Sequence, residues 1–231
     1  MSLWVGIQAR TASTRLPGKV LKCVGGTPLI RYLVDTARGL TPNVVVLIPV
    51  GDEKLKVYCR DNNIPCFEGS ENDLIRRYLS FAKTYGASHV VRLTADCPFL
   101  DIAELSYMIS TCSQVNADIG TNALAGMRTI IDGNDVEVFS TRFLQYLNEK
   151  VTEDVDREHV GSYAYRNWQD ICEERDERGR TKWVTLIRQS IWPHYAAPRS
   201  KTSIDTEEEY IAACKIVAGQ GGQDDTVAKK G

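Results

Sequence analysis

Residues 44–50, VVVLIPV, form an unbroken apolar run within the 231-residue chain. A strand that is covered on both faces is apolar throughout, so this run is typical of a central strand in a parallel sheet. Two segments with apolar residues at helical spacing, 28–40 and 52–63, lie on either side of it. A strand between two such helices predicts a sheet with helices packed on both faces.

Outside this unit, further short apolar runs are interpreted as strands. They are LWVGIQ at 3–8, IPCFEG at 64–69 and SHVVRLT at 88–94. A third helix, amphipathic like the other two, is predicted between the last two of these strands, over residues 71–86. The regular alternation of strand and helix predicts an α/β, Rossmann-like, mostly parallel sheet. Ligands of such sheets bind at the carboxyl ends of the strands.

The second half of the chain is less regular. Strands are predicted over 117–122 and 135–140, and helices over 141–150, 153–167 and 204–219. The segments 169–175 and 181–188, separated by DERGR, predict a β-hairpin extension with Gly179 in its turn. We expect a single domain over residues 1–218. The small, polar stretch 219–231 predicts a disordered tail.

Composition and charge exclude several classes of protein. The net charge of −2 does not indicate a general nucleic-acid binder. The seven cysteines are odd in number and form no Cys-x-x-Cys pair, so neither a disulfide framework nor a zinc ribbon is expected. No apolar stretch is long enough to span a bilayer. We therefore expect a cytoplasmic protein with no membrane or nucleic-acid partner.

The loop after the first strand, ARTASTRLPGKVL at 9–21, is rich in cations and small hydroxyl residues. Arg10, Arg15 and Lys19 suit a polyphosphate, whose oxygens the backbone N–H groups of such a loop can also bind. The loop is neither GxxxxGK[ST] nor GxGxxG, so two common nucleotide-binding fingerprints are excluded. The alternative is an ordinary solvated basic loop.

Two aspartates are candidate metal ligands. Asp96 directly follows the strand 88–94, and Mg²⁺ prefers one or two carboxylates together with phosphate oxygens and water. The alternative is that Asp96 caps the turn before Pro98. Asp205 is a candidate second carboxylate, and its alternative role is the N-cap of the last helix.

Two further clusters are candidates for binding a second substrate. Asp135 and Glu137 lie two residues apart in a predicted strand and so share a face, where they could bind acceptor hydroxyls. A polar strand edge is the alternative. The motif DREHV at 156–160 contributes Arg157 and His159. An ordinary surface helix is the alternative for this motif.

The segment IQARTASTRLPGKVL at 7–21 resembles the opening signature of cytidylyltransferases of the spore coat polysaccharide biosynthesis protein F type. It also resembles the related acylneuraminate and deoxyoctulosonate cytidylyltransferases. RLTADCPFLD, DGNDVEVFS, DREHV and SIDTEEEY follow in the order and spacing of the spore coat type. The resemblance covers residues 3–215 and implies a glycosyltransferase A-like nucleotidyltransferase fold. Ala12 and Ala95 stand where many relatives carry glycine, and both are small enough to be tolerated.

The resemblance implies transfer of a cytidylyl group from CTP to a sugar or sugar-acid acceptor, with release of pyrophosphate, in surface polysaccharide biosynthesis. It implies Mg²⁺ as the cofactor, held by Asp96 and Asp205, and it is compatible with a homodimer. The implied catalytic residues are Arg10, Lys19, Asp96 and Asp205. The implied nucleotide-binding residues are Gln8, Ala9, Arg10, Thr11, Arg15, Lys19 and Thr94. The implied acceptor-binding residues are Asp135, Glu137 and Arg157.

Other functions on the same sheet stay open. Uridylyl or guanylyl transfer to a sugar phosphate would use a similar phosphate loop. A glycosyltransferase or sugar-nucleotide binder would bind a nucleotide sugar without releasing pyrophosphate. A non-catalytic homologue is disfavoured, because all four of the implied catalytic residues are present.

Overall fold

The computed structural model describes residues 2–124, 131–187 and 202–219. The strands are β1 Leu3–Gln8, β2 Cys23–Val24, β3 Thr27–Pro28, β4 Val44–Pro49, β5 Cys66–Gly69, β6 His89–Thr94, β7 Ile119–Thr121, β8 Glu137–Ser140 and β9 Thr185–Ile187. The helices are α1 Leu29–Arg38, α2 Glu53–Asp61, α3 Leu74–Thr84, α4 Ile102–Val115, α5 Thr141–Lys150, α6 Asp154–Glu158, α7 Ser162–Arg166, α8 Trp168–Glu173 and α9 Glu207–Val217. A single 3₁₀ turn, Lys19–Leu21, follows the first loop.

Seven strands form one sheet in the order β5-β4-β1-β6-β8-β7-β9. Neighbouring strands from β5 to β6 are parallel, and β8 runs antiparallel to both β6 and β7. The edge strand β9 pairs in parallel with β7. The predicted mostly parallel sheet is therefore confirmed, with β8 as its reversed strand.

The apolar run in β4 is explained by cores on both faces of the sheet. Val44, Val46 and Ile48 belong to one core, together with residues of α1, α2 and α4. Val45 and Leu47 belong to the other, together with residues of α3 and α5. Successive side chains of a strand point to opposite faces, so every residue in this strand needs to be apolar. Helices therefore pack on both faces of the sheet, as predicted.

The predicted β-hairpin around Gly179 is wrong in its first strand. Residues 168–173 form helix α8, in which Ile171 is buried. Antiparallel pairing around the turn is reduced to a single bridge between Arg175 and Thr181. Residues 185–187 of the second segment instead join the main sheet as β9, where their backbone pairs with β7. Just before them, the Val184 N–H donates to the Asp118 carboxylate over 3.0 Å.

Three further predictions, on a helix, on membrane spans and on the end of the chain, are compared with the structure as follows. The helix predicted over 153–167 is broken into α6 and α7, and His159 stands at the C-cap position of α6. Within the described ranges, no helix is both long and apolar enough to cross a membrane. The predicted tail begins at Gly219, and residues 220–231 lie outside the described part of the chain.

Candidate active site

The ends of β1 and β6 bring two polar loops to one edge of the sheet. Gln8 and Thr94, the last residues of these strands, are partners in the parallel register. Beyond them, the Ala95 N–H donates to the Gln8 carbonyl over 3.0 Å, and the Ala9 N–H donates to the Leu47 carbonyl over 3.0 Å. The loops that carry Lys19 and Asp96 therefore leave the sheet side by side, as expected for ligand binding at the carboxyl edge.

The loop after β1 is anchored by Asp52, the N-cap of α2. The Thr11 N–H donates to the Asp52 carboxylate over 2.7 Å, and the Thr11 hydroxyl is 3.0 Å from both carboxylate oxygens. The Gly18 N–H closes the loop on the Thr11 carbonyl over 3.0 Å. Gly18 has a φ of +67°, which favours glycine, and it directs the chain into the 3₁₀ turn that starts at Lys19.

The segment before α9 crosses to the same edge. The Ile204 N–H donates to the Asp96 carbonyl over 2.8 Å, and the Thr202 N–H donates to the Asp132 carbonyl over 2.8 Å. Helix α9 is capped by the Thr206 hydroxyl in a capping box with Glu209. The alternative of Asp205 as the N-cap is therefore excluded, and its carboxylate faces the loop after β1.

Lys19 is the centre of an ion cluster. Its Nζ lies 2.7 Å from Asp96 Oδ2 and 2.8 Å from Asp205 Oδ1. Arg15 Nη2 lies 3.0 Å from the same oxygen of Asp205. Burial on its own would lower the pKa of Lys19, but the charges and hydrogen bonds of Asp96 and Asp205 outweigh burial and raise that pKa. Four of the predicted site residues are thus brought together by three separate parts of the chain.

A cavity of about 430 Å³ opens over this cluster. Most of the predicted nucleotide-binding and catalytic residues line it, together with one predicted acceptor residue: Gln8, Ala9, Arg10, Arg15, Lys19, Thr94, Asp96, Asp135 and Asp205. Arg10 lies at its exposed rim, with Nη1 3.8 Å from Glu158 Oε1. Thr11 is not among the lining residues, because its side chain is turned to Asp52.

A second cavity of about 250 Å³ adjoins the first. Four residues line both cavities and form the wall between them: Arg92, Thr94, Asp135 and His159. Glu137 and Tyr165 line the second cavity alone. Two adjoining cavities with a shared polar wall can hold two reactants next to each other.

Arg92, whose side chain is 14% exposed, is a residue of this wall that was not predicted from the sequence. It is paired in register with Glu137 across β6 and β8, and its Nη1 donates to the Glu137 carboxylate. Its Nε donates to Gln8 Oε1 over 3.0 Å, and the Tyr165 hydroxyl donates to Glu137. Burial acts to lower the pKa of Arg92, but the Glu137 charge outweighs it and raises that pKa. The feature of the sequence that could have identified Arg92 is the position of an arginine inside the apolar run HVVRLT.

Arg77 is a second missed residue of the first cavity. Its side chain is buried, and burial lowers its pKa. Its Nε donates to the Ser70 carbonyl over 2.7 Å and its Nη2 donates to the Glu71 carbonyl over 3.2 Å. Arg77 therefore fixes the loop after β5. Its position three residues after the buried Leu74 places it on the apolar face of α3, which was the signal for its burial.

Arg157 is not placed with the predicted acceptor residues and lines neither cavity. Its Nε and Nη2 each lie 2.8 Å from Asp73 Oδ2. Its Nη1 donates to the Val151 carbonyl over 2.6 Å, and its Nη2 donates to Asn148 Oδ1 over 2.8 Å. The guanidinium instead joins α6 to the start of α3 and the end of α5.

Two chemical alternatives at this edge are disfavoured. The Cys97 thiol lies in the first cavity, but burial and the adjacent Asp96 charge raise its pKa well above the ordinary value, which opposes the thiolate needed for nucleophilic attack. Across residues 2–124, 131–187 and 202–219, no three His, Cys, Asp or Glu side chains are grouped as a metal site.

Fold and site together define an α/β nucleotidyltransferase. The family model of cytidylyltransferases matches residues 5–212, and the chain belongs to that family. Spore coat polysaccharide biosynthesis protein SpsF of Bacillus subtilis is 29% identical, over 97% of this chain and 90% of that protein. A 3-deoxy-manno-octulosonate cytidylyltransferase of Acidobacterium capsulatum is 27% identical, over 91% and 94%. A solved cytidylyltransferase structure from Leptospira borgpetersenii is 30% identical, with a TM-score of 0.81 over 95% of this chain and 87% of that one.

These similarities confirm the resemblance, the fold class and the enzyme class that the sequence predicted. They make a cytidylyl donor the expected substrate and count against the uridylyl and guanylyl alternatives. The catalytic roles of Arg10, Lys19, Asp96 and Asp205 stay predictions.

Proposed function

We propose that this enzyme transfers the cytidylyl group of CTP to an oxygen of a sugar or sugar-acid acceptor and releases pyrophosphate, in surface polysaccharide biosynthesis. The observation that carries the proposal is the ion cluster of Lys19, Arg15, Asp96 and Asp205 beneath a cavity that adjoins a second one. The names of the relatives support the choice of CTP and of a sugar-acid acceptor.

In the proposed reaction, an acceptor oxygen forms a bond to the α-phosphorus. The bond between that phosphorus and the bridging oxygen breaks, and pyrophosphate leaves with the electron pair. Lys19, Arg15 and Arg10 bind the triphosphate and neutralise the charge that develops on the leaving group. Such a reaction depends mainly on positioning the two reactants, which the adjoining cavities provide.

The second cavity is proposed to hold the acceptor. Asp135 and His159 lie on the wall between the cavities, where the acceptor hydroxyl would meet the α-phosphate, and either side chain could take the proton that this hydroxyl loses. Glu137 accepts one hydrogen bond from Arg92 and one from Tyr165, on different oxygens of its carboxylate. Its proposed role is to position Arg92.

A divalent metal, Mg²⁺, fits the donor set at the cluster. Asp96 and Asp205 each place a carboxylate oxygen within 2.8 Å of one cationic atom, and Mg²⁺ is commonly held by one or two carboxylates plus phosphate oxygens. When bound there, the metal would neutralise phosphate charge and orient the triphosphate. Asp96 and Asp205 are the residues that would hold it.

The test is to incubate the protein with Mg²⁺, one of the four nucleoside triphosphates and a panel of acidic sugars, neutral sugars and sugar phosphates, and to follow pyrophosphate release. We expect release with CTP and one class of acceptor, and a rise in melting temperature with CTP and Mg²⁺ alone. Faster release with UTP or GTP would contradict the proposed donor. No thermal response to any nucleotide would contradict the phosphate-binding role of the loop.

A further inference from the structure

Lys19 stands between the two carboxylates proposed to hold the metal. Its Nζ is within 2.8 Å of an oxygen from each of Asp96 and Asp205. Mg²⁺ binds oxygen at about 2.0–2.1 Å, so an ion that contacted both oxygens would be pressed against the ammonium group. The metal and this position of the Lys19 side chain therefore exclude each other.

The charges lead to the same conclusion. Two carboxylates, Asp96 and Asp205, face two cations, Lys19 and Arg15, so the formal charge of the cluster is zero. The Lys19 side chain is only 12% exposed, and charges interact more strongly where water is partly excluded. A divalent cation would gain little from a pair of carboxylates that two internal cations already neutralise.

A triphosphate in the first cavity changes this balance. It carries about four negative charges at neutral pH, and both Lys19 and Arg15 line that cavity. The flexible four-carbon stem of lysine lets its ammonium group turn from the carboxylates to the phosphates. The carboxylates would then regain their two negative charges. The phosphate oxygens could complete the coordination of the metal.

Only side chains need to move for this exchange. The Lys19 backbone is fixed at the start of the 3₁₀ turn, where the Lys19 N–H donates to the Leu16 carbonyl over 3.1 Å. The segment of Asp205 is tied to that of Asp96 by the 2.8 Å bond from the Ile204 N–H. The two carboxylates therefore stay together whether or not Lys19 lies between them.

We propose that Lys19 is the internal counter-ion of the metal site, so that the enzyme binds a divalent cation only together with a nucleoside triphosphate. The inference rests on the proposed function, because it takes the same two aspartates as the metal ligands. Since binding linkage is reciprocal, metal and nucleotide each raise the affinity for the other by the same factor.

The experiment is a titration of Mn²⁺ onto the nucleotide-free full chain, with free Mn²⁺ followed by electron paramagnetic resonance. We compare wild type, Lys19→Met and the control Lys22→Met, whose ammonium group pairs with the exposed Glu207 over 3.4 Å. Lys19→Met is expected to bind Mn²⁺ at least tenfold more tightly than wild type, and Lys22→Met to match wild type. Lys19→Gln shows whether the result depends on the particular substitution by methionine. Circular dichroism shows whether each variant is folded.

Tight binding of Mn²⁺ to nucleotide-free wild type would overturn the inference. Equally weak binding to wild type and to folded Lys19→Met would overturn it too, because Lys19 would then not be what excludes the metal. Pyrophosphate release by wild type, measured on the same samples with CTP and acceptor, distinguishes failure of the counter-ion role from failure of the proposed function. Release with CTP alongside either contrary Mn²⁺ result leaves the proposed function standing and removes only the counter-ion role.

Discussion

Arg92 and Glu137 form a largely buried ion pair that joins β6 to β8 at the wall between the two cavities. Gln8 and Tyr165 complete their hydrogen bonds from opposite sides. The network links the end of the first strand, which lines the proposed nucleotide cavity, to α7, which lines the proposed acceptor cavity. Its members are fixed by one another, so we expect the wall to be rigid.

Arg92→Met should destabilise the protein by about 3–5 kcal/mol, because it leaves the Glu137 charge buried without its partner. The double variant Arg92→Met/Glu137→Met should recover most of that loss, since both charges are then removed. Urea unfolding of the two variants and wild type measures the difference. A loss below about 1 kcal/mol for the single variant would mean that water reaches Glu137.

Asp96→Ala should lower kcat by at least about 100-fold, the scale on which single electrostatic contacts to a transition state act. The fold should be kept, because the contact of residue 96 with Ile204 uses the backbone carbonyl. Steady-state pyrophosphate release and thermal melts test both statements. The exposed Asp61→Ala is the matched control. Near-normal turnover in Asp96→Ala would remove Asp96 from the metal site.

Gly133→Ala should reduce activity at least tenfold by displacing Asp205. Gly133 has a φ of +107°, and a Cβ there would lie 2.3 Å from Thr202 Oγ1 and 2.6 Å from the Ser203 nitrogen. The segment leading to Asp205 would have to move. Gly179→Ala is the control, because its φ is also positive but nothing lies within 4 Å of the added atom.

Both alanine variants should lose about 1 kcal/mol or more of stability, since alanine is strained at positive φ. Only Gly133→Ala should also lose activity when turnover is measured well below its melting temperature. Equal turnover in the two variants would show that Asp205 tolerates a shift of its backbone.

Arg157→Ala should lower the free energy of unfolding by about 2–3 kcal/mol, because hydrogen bonds to charged groups are lost. The KM for the acceptor should stay within about twofold of wild type, because the guanidinium binds Asp73 and carbonyls outside both cavities. Urea unfolding and acceptor saturation curves measure the two effects. A large rise in KM at unchanged stability would restore Arg157 to acceptor binding.

His89 should make the protein less stable in mild acid. Burial of its ring, which lies at the start of β6, lowers its pKa below the ordinary 6.5. The unfolded chain therefore binds a proton more readily than the folded one, so stability is lost as the pH falls through about 6.5 towards the folded-state pKa. His89→Asn should flatten the dependence of the unfolding free energy on pH between 5 and 7. An unchanged slope would contradict the prediction.

The sequence was sufficient for the parts of the fold and site that local patterns specify. The apolar run in β4 predicted a doubly covered strand, and the loops after β1 and β6 had to meet because parallel strands end at one edge. Lys19, Asp96 and Asp205 were singled out by residue type and by position relative to strands and helices. Their predicted roles await the measurements above.

The remaining features depend on partners that are far apart in the chain. Arg157 binds Asp73, which lies 84 residues earlier, and no local pattern indicates that α6 meets the start of α3. The segment 181–188 has the composition of a strand, but its partner is β7 and not the neighbouring residues 169–175. Periodicity tells which face of an element is buried, whereas it does not identify the element that covers it.

The Lys19–Asp205 contact spans 186 residues of chain. At synthesis rates of about 5–20 residues per second, roughly 10–40 s pass between the two residues leaving the peptidyl-transferase centre. During that interval on the ribosome, the cationic loop and the ends of β1 and β6 can already be formed while the Asp205 carboxylate has yet to be made. A nascent chain could therefore bind phosphate-rich ligands at this loop before it can acquire the second of its two proposed metal ligands.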